Sequence, residues 1–453
     1  MPRTFNFLAP SLHPNTLTEL SIPEAGPSAP EPVVRHLAIK YGAHQPVGSV
    51  KRIVESGADE IVVVDDAYRI STLSLGKDEE GNATPPEMVR QYQATGKAGN
   101  VWAGLASVEA GTLAALSSGA LYLIPNSGDD VRSTNIPGPP TCIASSSNSA
   151  TAFAAAGKEV DVSLWDVERT FGSSREPATN GKSGKRKKTE LQEGEIWQAK
   201  NLAHDSLNLR PPVHHLALTF APNSTTSLIS GTKSGSVRRY DTRQRKPVSD
   251  WKLAREGGIG AIAFGTNEHD LFYADRSSLL AAVDMRTGKM LYSIPSTCTV
   301  HHLLSFPSIE EAPTALTSGR RIGLAGISSD ASLRVYATTP TPAEGAKGNW
   351  GGEGKKGDVM TMVGGVGVGG FVWRGYGQVA KVKPEKKAGA EDDEDDSEGE
   401  EEEVWDGMNE VGEGEDSDDE EEDVEDSDEE EEEAPPVKRT KQVQQKQKPK
   451  GRR

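Results

Sequence analysis

The sequence predicts an all-β protein assembled from a repeated four-stranded unit, and three observations carry that prediction. Four segments end in nearly the same phrase: Val162-Ser163-Leu164-Trp165-Asp166, Val237-Arg238-Arg239-Tyr240-Asp241, Leu280-Ala281-Ala282-Val283-Asp284 and Leu333-Arg334-Val335-Tyr336-Ala337. Their fourth residues fall at 165, 240, 283 and 336, and the 43-residue step from 240 to 283 is the period of a WD-type propeller blade. The 75-residue step fits a blade plus an insertion, and the 53-residue step a blade with a long loop. Elsewhere, short β-branched and apolar runs alternate with Gly, Ser, Asn and Asp turns, which is the hairpin signal. A unit this small cannot bury its own apolar face, so it stacks on neighbours in a ring. The expected fold is a seven-bladed WD40-type β-propeller with a disordered, first acidic and then basic, C-terminal tail.

Taken in order, residues 1–33 are proline-rich and lack helical periodicity, and are expected to form an irregular N-terminal arm. The propeller is expected over 34–380. Runs 36–40 and 48–53 suggest a blade at 34–54, and runs 61–64 and 70–73 another at 55–75. Runs 112–116 and 120–124 place a third at 100–125. The run 152–156, followed by Leu164-Trp165-Asp166, places a fourth at 141–168. Three further blades follow at 213–254, 258–296 and 299–340. Residues 169–212 read as an insertion, and strands within 358–375 are expected to close the ring, which removes exposed edges. An Asp six residues before the aromatic often orders the tight turn of such repeats. Asp330 fits, whereas Ser234 and Glu159 hold that position in their blades.

The formal net charge of −18 divides unevenly along the chain. Residues 391–433 hold 30 Asp and Glu with no Lys or Arg, and residues 434–453 hold 8 Lys and Arg with no acid. Residues 1–390 therefore carry 42 basic and 38 acidic side chains, a net of +4. The acidic run self-repels and cannot collapse, so 381–453 is expected to be a disordered tail. Cys142 and Cys298 form neither a CxxC pair nor a metal spacing, as suits a reducing compartment. With no long apolar run and no signal peptide, a soluble, intracellular, monomeric protein away from membranes is expected.

Several motifs have a chemical and a structural reading. Val213-His214-His215-Leu216 and Val300-His301-His302-Leu303 could suggest a metal site. Adjacent strand residues face opposite sides, however, so the pairs are read as structural histidines at one repeat position. Gly365-Val366-Gly367-Val368-Gly369-Gly370 satisfies GxGxxG, but the following Phe371-Val372-Trp373 does not read as a helix that could hold a pyrophosphate. A turn at the ring closure is expected instead. Tyr240-Asp241-Thr242-Arg243 and Val283-Asp284-Met285-Arg286 resemble the WDxR box of substrate receptors for cullin-type ubiquitin ligases; an Asp–x–Arg closure of the turn after the third strand is the structural alternative. There is no nucleophile elbow, paired-carboxylate motif or HExxH, so no enzyme, cofactor or metal is expected.

The insertion holds Lys185-Arg186-Lys187-Lys188 in a Ser/Gly-rich context and then Trp197-Gln198-Ala199-Lys200-Asn201-Leu202-Ala203-His204-Asp205-Ser206-Leu207-Asn208-Leu209-Arg210-Pro211-Pro212. With Ala156-Gly157-Lys158-Glu159 and Leu164-Trp165-Asp166, this segment resembles the WD-repeat ribosome-biogenesis factors known in fungi as the nop-seven-associated family. Its animal counterpart is WD repeat-containing protein seventy-four. Asp284-Met285-Arg286, Gly288-Lys289 and the phrase ending at Tyr336 continue the likeness, which covers roughly 34–380 and departs in the N-terminal arm and in the 338–358 loop. The resemblance implies a nucleolar protein on precursors of the large (60S) ribosomal subunit, removed by an AAA-type ATPase.

The expected function is a non-enzymatic assembly factor that docks on pre-60S proteins and precursor rRNA. A mildly basic ring suits an RNA-rich particle. A histone-binding WD-repeat chaperone and a cullin-type ligase receptor are the rival expectations. Lys200, Asn201, Asp205 and Arg210 are expected to form a partner-facing patch, with Leu202, Leu207 and Leu209 pinning the segment to the propeller. Lys185, Arg186, Lys187 and Lys188, together with Lys438, Arg439 and Lys441 in the basic terminus, are expected to direct nuclear import. Ser397, Ser417 and Ser427 each have an acid three residues on, the pattern of acidophilic phosphorylation. Trp405, in the apolar island Val404-Trp405-Asp406-Gly407-Met408, is expected to anchor a partner. The resemblance implies a similar acid–apolar–Trp phrase after the propeller in family members.

Overall fold

The computed structural model describes residues 3–378 apart from 25–30, 58, 78–82, 129, 147–148, 173–190, 205, 266–267, 308–320 and 343–354. Alternation of apolar and polar residues yields seven four-stranded antiparallel sheets. Blade 1 takes β1 (Arg3–Pro10), β2 (Thr16–Pro23) and β3 (Val33–Ala38). Blade 2 is β4 (Val50–Glu55), β5 (Glu60–Asp65), β6 (Arg69–Ser74) and β7 (Glu87–Gln93). Blade 3 is β8 (Trp102–Val108), β9 (Gly111–Leu116), β10 (Ala120–Pro125) and β11 (Arg132–Asn135). Blade 4 is β12 (Pro140–Ser146), β13 (Ser149–Gly157), β14 (Ser163–Asp166) and, after the short helix α1 (Val167–Gly172), β15 (Glu195–Gln198). Blade 5 is β16 (His215–Phe220), β17 (Ser227–Thr232), β18 (Ser236–Asp241) and β19 (Ser249–Lys252). Blade 6 is β20 (Ile259–Phe264), β21 (Asp270–Asp275), β22 (Leu280–Asp284) and β23 (Lys289–Ile294). Blade 7 is β24 (Val300–Ser305), β25 (Arg321–Ser328), β26 (Ser332–Thr338) and β27 (Asp358–Gly364). Finally β28 (Val372–Gln378) pairs with β1 and completes blade 1, so strands from both ends of the described chain close the ring.

First strands of neighbouring blades pack on one another around a central channel. Middle strands are covered on both faces by adjacent blades, and β9, β22 and β26 are buried throughout. Outer strands such as β11 and β19 stay half exposed. Seven apolar clusters result, one between each pair of neighbouring blades. Trp165, Tyr240, Val283 and Tyr336 take the same register position, opposite Phe153, Leu228, Leu271 and Leu324. All four are at most 2% exposed, so the recurring phrase marks an inter-blade core position.

Three expectations are corrected. The N-terminal segment is not an irregular arm: β1 and β2 pair along seven residues and bury Phe5, Phe7, Leu17, Leu20 and Ile22. Three of its prolines sit where a missing N–H is harmless, Pro10 and Pro23 at strand ends and Pro14 in the hairpin. The blades expected at 34–54 and 55–75 are not separate units. The first run, 36–40, falls largely in β3, the outer strand of blade 1, whereas 50–74 supplies three strands of blade 2, finished by β7. The insertion at 169–212 also contains β15, the outer strand of blade 4, which turns Trp197 inward to 8% exposure against Tyr240.

Each inner strand of blades 2 to 7 carries a β-bulge at the same place, immediately after Val50, Trp102, Pro140, His215, Ile259 and Val300. A bulge bends its strand and re-aims the side chains that follow. Bulge residues Thr141, Leu216, Gly260 and His301 consequently line one mouth of the channel.

Candidate functional site

After β15, the chain leaves blade 4 over the outer edge of blade 5. Lys200 N–H donates to the Arg245 carbonyl at 2.7 Å, and Arg245 Nε returns a bond to the Gln198 carbonyl at 3.0 Å. Asn201 then closes a loop on itself. Its Nδ2 donates to the Pro211 carbonyl at 2.7 Å, and its Oδ1 accepts from Leu202 N–H at 2.8 Å. Each end of the amide thus makes one bond within the loop. Arg210 lies at the far end of the same loop, 3.9 Å from Glu159 and 4.0 Å from Asp161. The Lys200 side chain is exposed, as are Arg243, Arg245 and Lys246 on the adjoining turn of blade 5. Leu207 and Leu209 are 76% and 59% exposed, so they do not pin the segment as expected. The Asn201 amide and the Lys200 backbone help hold the segment, a pattern that hydrophobicity alone does not signal. The site is an exposed basic edge with two leucines at its rim.

The two histidine pairs are not equivalent. The bulges align His215 with Val300 and His302 with Ala217, because the register partners are Thr232 with Ser328 and Gly231 with Ile327. The 87-residue spacing thus misses the repeat by two residues. His215 is 1% exposed, 3.0 Å from Ser230 Oγ and edge-on to Tyr240; burial pushes it down to about 3, with Arg238 adding to the effect. Among the described residues, no group of three or more His, Cys, Asp or Glu is placed to hold a metal ion.

The other motifs resolve as turns. Asp241 accepts from Arg243 N–H at 3.0 Å and Nε at 3.1 Å, and Asp284 accepts from Arg286 N–H at 2.9 Å and Nε at 3.0 Å. Local closure therefore accounts for both Asp–x–Arg boxes. The glycine run joins β27 to strand β28, not to a helix. Asp330 does bind Arg334 and Ser332, and the Arg334 bond above all holds its carboxyl down at about 2. In other blades a different residue orders the turn. Asp65, Thr232 and Asp275, at the end of the second strand, accept from the N–H four residues on, at 2.8, 3.0 and 3.2 Å. That position lies eight residues before Tyr240 and Val283, not the six expected from the sequence.

Asp205, Lys185, Arg186, Lys187, Lys188, Ser397, Trp405, Ser417, Ser427, Lys438, Arg439 and Lys441 lie outside the described residues.

No family model matches the chain. Over 118 residues it is 32% identical to WD repeat-containing protein 74 of Bos taurus, and over 118 residues 31% identical to that of Homo sapiens. Each match covers 25% of this chain and 30% of the curated relative. A chain of the solved structure "Crystal Structure of Mitotic Checkpoint Complex" aligns at 11% identity and a TM-score of 0.45, covering 64% of this chain and 76% of that one. The chain is thus a propeller of seven four-stranded blades that, over a quarter of its length, is similar to WD repeat-containing protein 74.

Proposed function

We propose that the chain is a non-enzymatic docking scaffold in assembly of the large (60S) ribosomal subunit. In this reading it binds nucleolar pre-ribosomal particles through proteins and precursor rRNA and is released by an AAA-type ATPase. The observation that carries the docking site is the outer edge of blades 4 and 5, where Lys200, Arg243, Arg245 and Lys246 are exposed around the loop clamped by Asn201 and Pro211. A cationic edge on a rigid ring suits a phosphate-rich particle. The choice of the ribosomal precursor is supported by the family likeness of the 197–212 segment and by the relationship to WD repeat-containing protein 74. Nuclear entry through the two basic runs, and a partner contact through Trp405, belong to the same proposal. Purification of the tagged protein at mild salt tests it. Large-subunit proteins and precursor rRNA should co-purify; recovery of histones alone, or of a cullin adaptor alone, would replace the reading.

A further inference from the structure

The channel mouth formed by the bulged ends of the inner strands opens into a cavity of about 630 Å³ whose wall carries Arg52, Arg276, His214, His301 and His302. Arg52 follows the bulge of β4, His301 is the bulge of β24, and Arg276 begins the turn after β21. Among the described residues, neither Arg52 nor Arg276 forms an ion pair with a carboxylate. Arg52 instead donates to two neutral acceptors, the Lys51 carbonyl at 3.1 Å and His302 Nε2 at 2.9 Å. A desolvated guanidinium without a counter-charge is unfavourable, and burial lowers the Arg52 pKa accordingly.

The surrounding groups register the same positive field. His214, His301 and His302 all titrate below the ordinary range, first through burial and then through neighbouring cations. Those are Lys233, Lys158 and Arg276 for His214, Arg276 and Arg52 for His301, and Arg52 for His302. Two acids are nearby. Asp275 lines the cavity, but its carboxylate already accepts from the N–H groups of Arg255, Glu256, Ser277 and Leu279. Glu159 is exposed and lies 3.9 Å from Arg210. The cavity volume is that of a small-molecule site, about 300–1,000 Å³. Guanidinium forks converging from separate blades match the several oxygens of a phosphate, which accepts from more than one cation at once.

We infer that this mouth is a binding site for a small, multiply charged phosphate-bearing anion, held by Arg52 and Arg276 with His214 and His301 as additional donors. The inference is independent of the particle reading, because it concerns the purified chain alone. Titration calorimetry of the full chain with inorganic tripolyphosphate at low salt tests it. One site per chain is expected, weakened roughly tenfold in Arg276→Ala, a change to an exposed side chain, and further in Arg276→Ala/His301→Ala. A double variant of the outer edge, Arg243→Ala/Arg245→Ala, removes more charge than Arg276→Ala and should leave that site unchanged. Arg52→Gln, checked for native circular dichroism, should also weaken it. Absence of binding, or an affinity that Arg276→Ala leaves unaltered, or an equal loss in the outer-edge variant, overturns the site.

Discussion

Arg52 Nη1 lies 2.9 Å from Nε2 of His302, a bond that links β4 to β24, on the two blades flanking blade 1. A guanidinium only donates, so His302 must accept through Nε2 and carry its proton on Nδ1. The fold therefore holds His302 neutral, well below its usual pKa, as burial holds His215 at about 3. An unfolded chain takes up these protons below about pH 6.5, whereas the folded chain refuses them. Stability present above that pH is lost as it falls toward the folded values. Between pH 7.5 and 5.5 each histidine should cost about 1 kcal/mol. Urea denaturation at the two pH values should show the loss, with His215→Gln and His302→Gln each flattening it. Asp330, held down at about 2, loses its contribution only below about pH 4, outside this window. Variants as pH-sensitive as the parent would refute the assignment.

Trp165 is 1% exposed, stacks on Phe153 with ring centroids 6.3 Å apart, and donates Nε1–H to Ser163 Oγ at 2.8 Å. It belongs to the cluster between blades 3 and 4. Trp165→Ala should destabilise the protein by ~3–5 kcal/mol through the cavity it leaves. Val283→Ala, at the same register position, removes two carbons and should cost only ~1–2 kcal/mol. Equal losses in chemical denaturation would mean that the position is not the inter-blade core.

That shared position was legible because an aromatic or branched residue recurs in a buried strand, and burial constrains composition strongly. Asp–x–Arg turns and the glycine closure were legible for a similar reason, since each satisfies a local geometric need. The first two blades were not. β1 to β3 carry no recurring phrase, and a strand pair looks alike whether its strands share a blade or lie in adjacent ones. Only the register of β3 with β2, and of β4 with β5, separates them. The Arg52–His302 bond, 250 residues apart in sequence, was invisible for the same reason. Bulges shifted the two histidine pairs against one another, which sequence spacing could not detect.

Loop and surface functions of the 200–211 segment should separate by mutation. Asn201→Ala removes two hydrogen bonds that clamp the loop and should cost about 1–2 kcal/mol. Among the described residues, Arg210 makes long ion pairs with the exposed Glu159 and the half-buried Asp161, each worth about 0–1 kcal/mol. Lys200→Glu/Arg210→Glu should therefore leave the melting temperature almost unchanged while reducing co-purification with the particle. Unchanged melting with unchanged association would remove this edge from the docking surface.

Ring closure depends on backbone contacts that tolerate no side chain. Gly367 N–H donates to the Pro10 carbonyl at 2.8 Å, and a Cβ at Gly367 would lie 2.6 Å from the Ser11 carbonyl oxygen and 3.0 Å from Pro10 Cβ. These neighbours end β1 and cannot rotate away as a flexible side chain would. Around them Phe7 packs against Phe306 and Phe371 with centroids 5.5 and 6.0 Å apart, so displacing the turn also disturbs the apolar seam between blades 7 and 1. Gly367→Ala should cost about 1–3 kcal/mol, the range for overpacking a rigid site. Gly364→Ala, where an added Cβ meets nothing within 4 Å, is the matched control and should be near neutral. Hydrogen exchange should localise the effect, with β1 and β28 exchanging faster in Gly367→Ala while β17 and β21 keep their protection. Uniform acceleration around the ring, or parity with Gly364→Ala, would show that the closure is not the site of the strain.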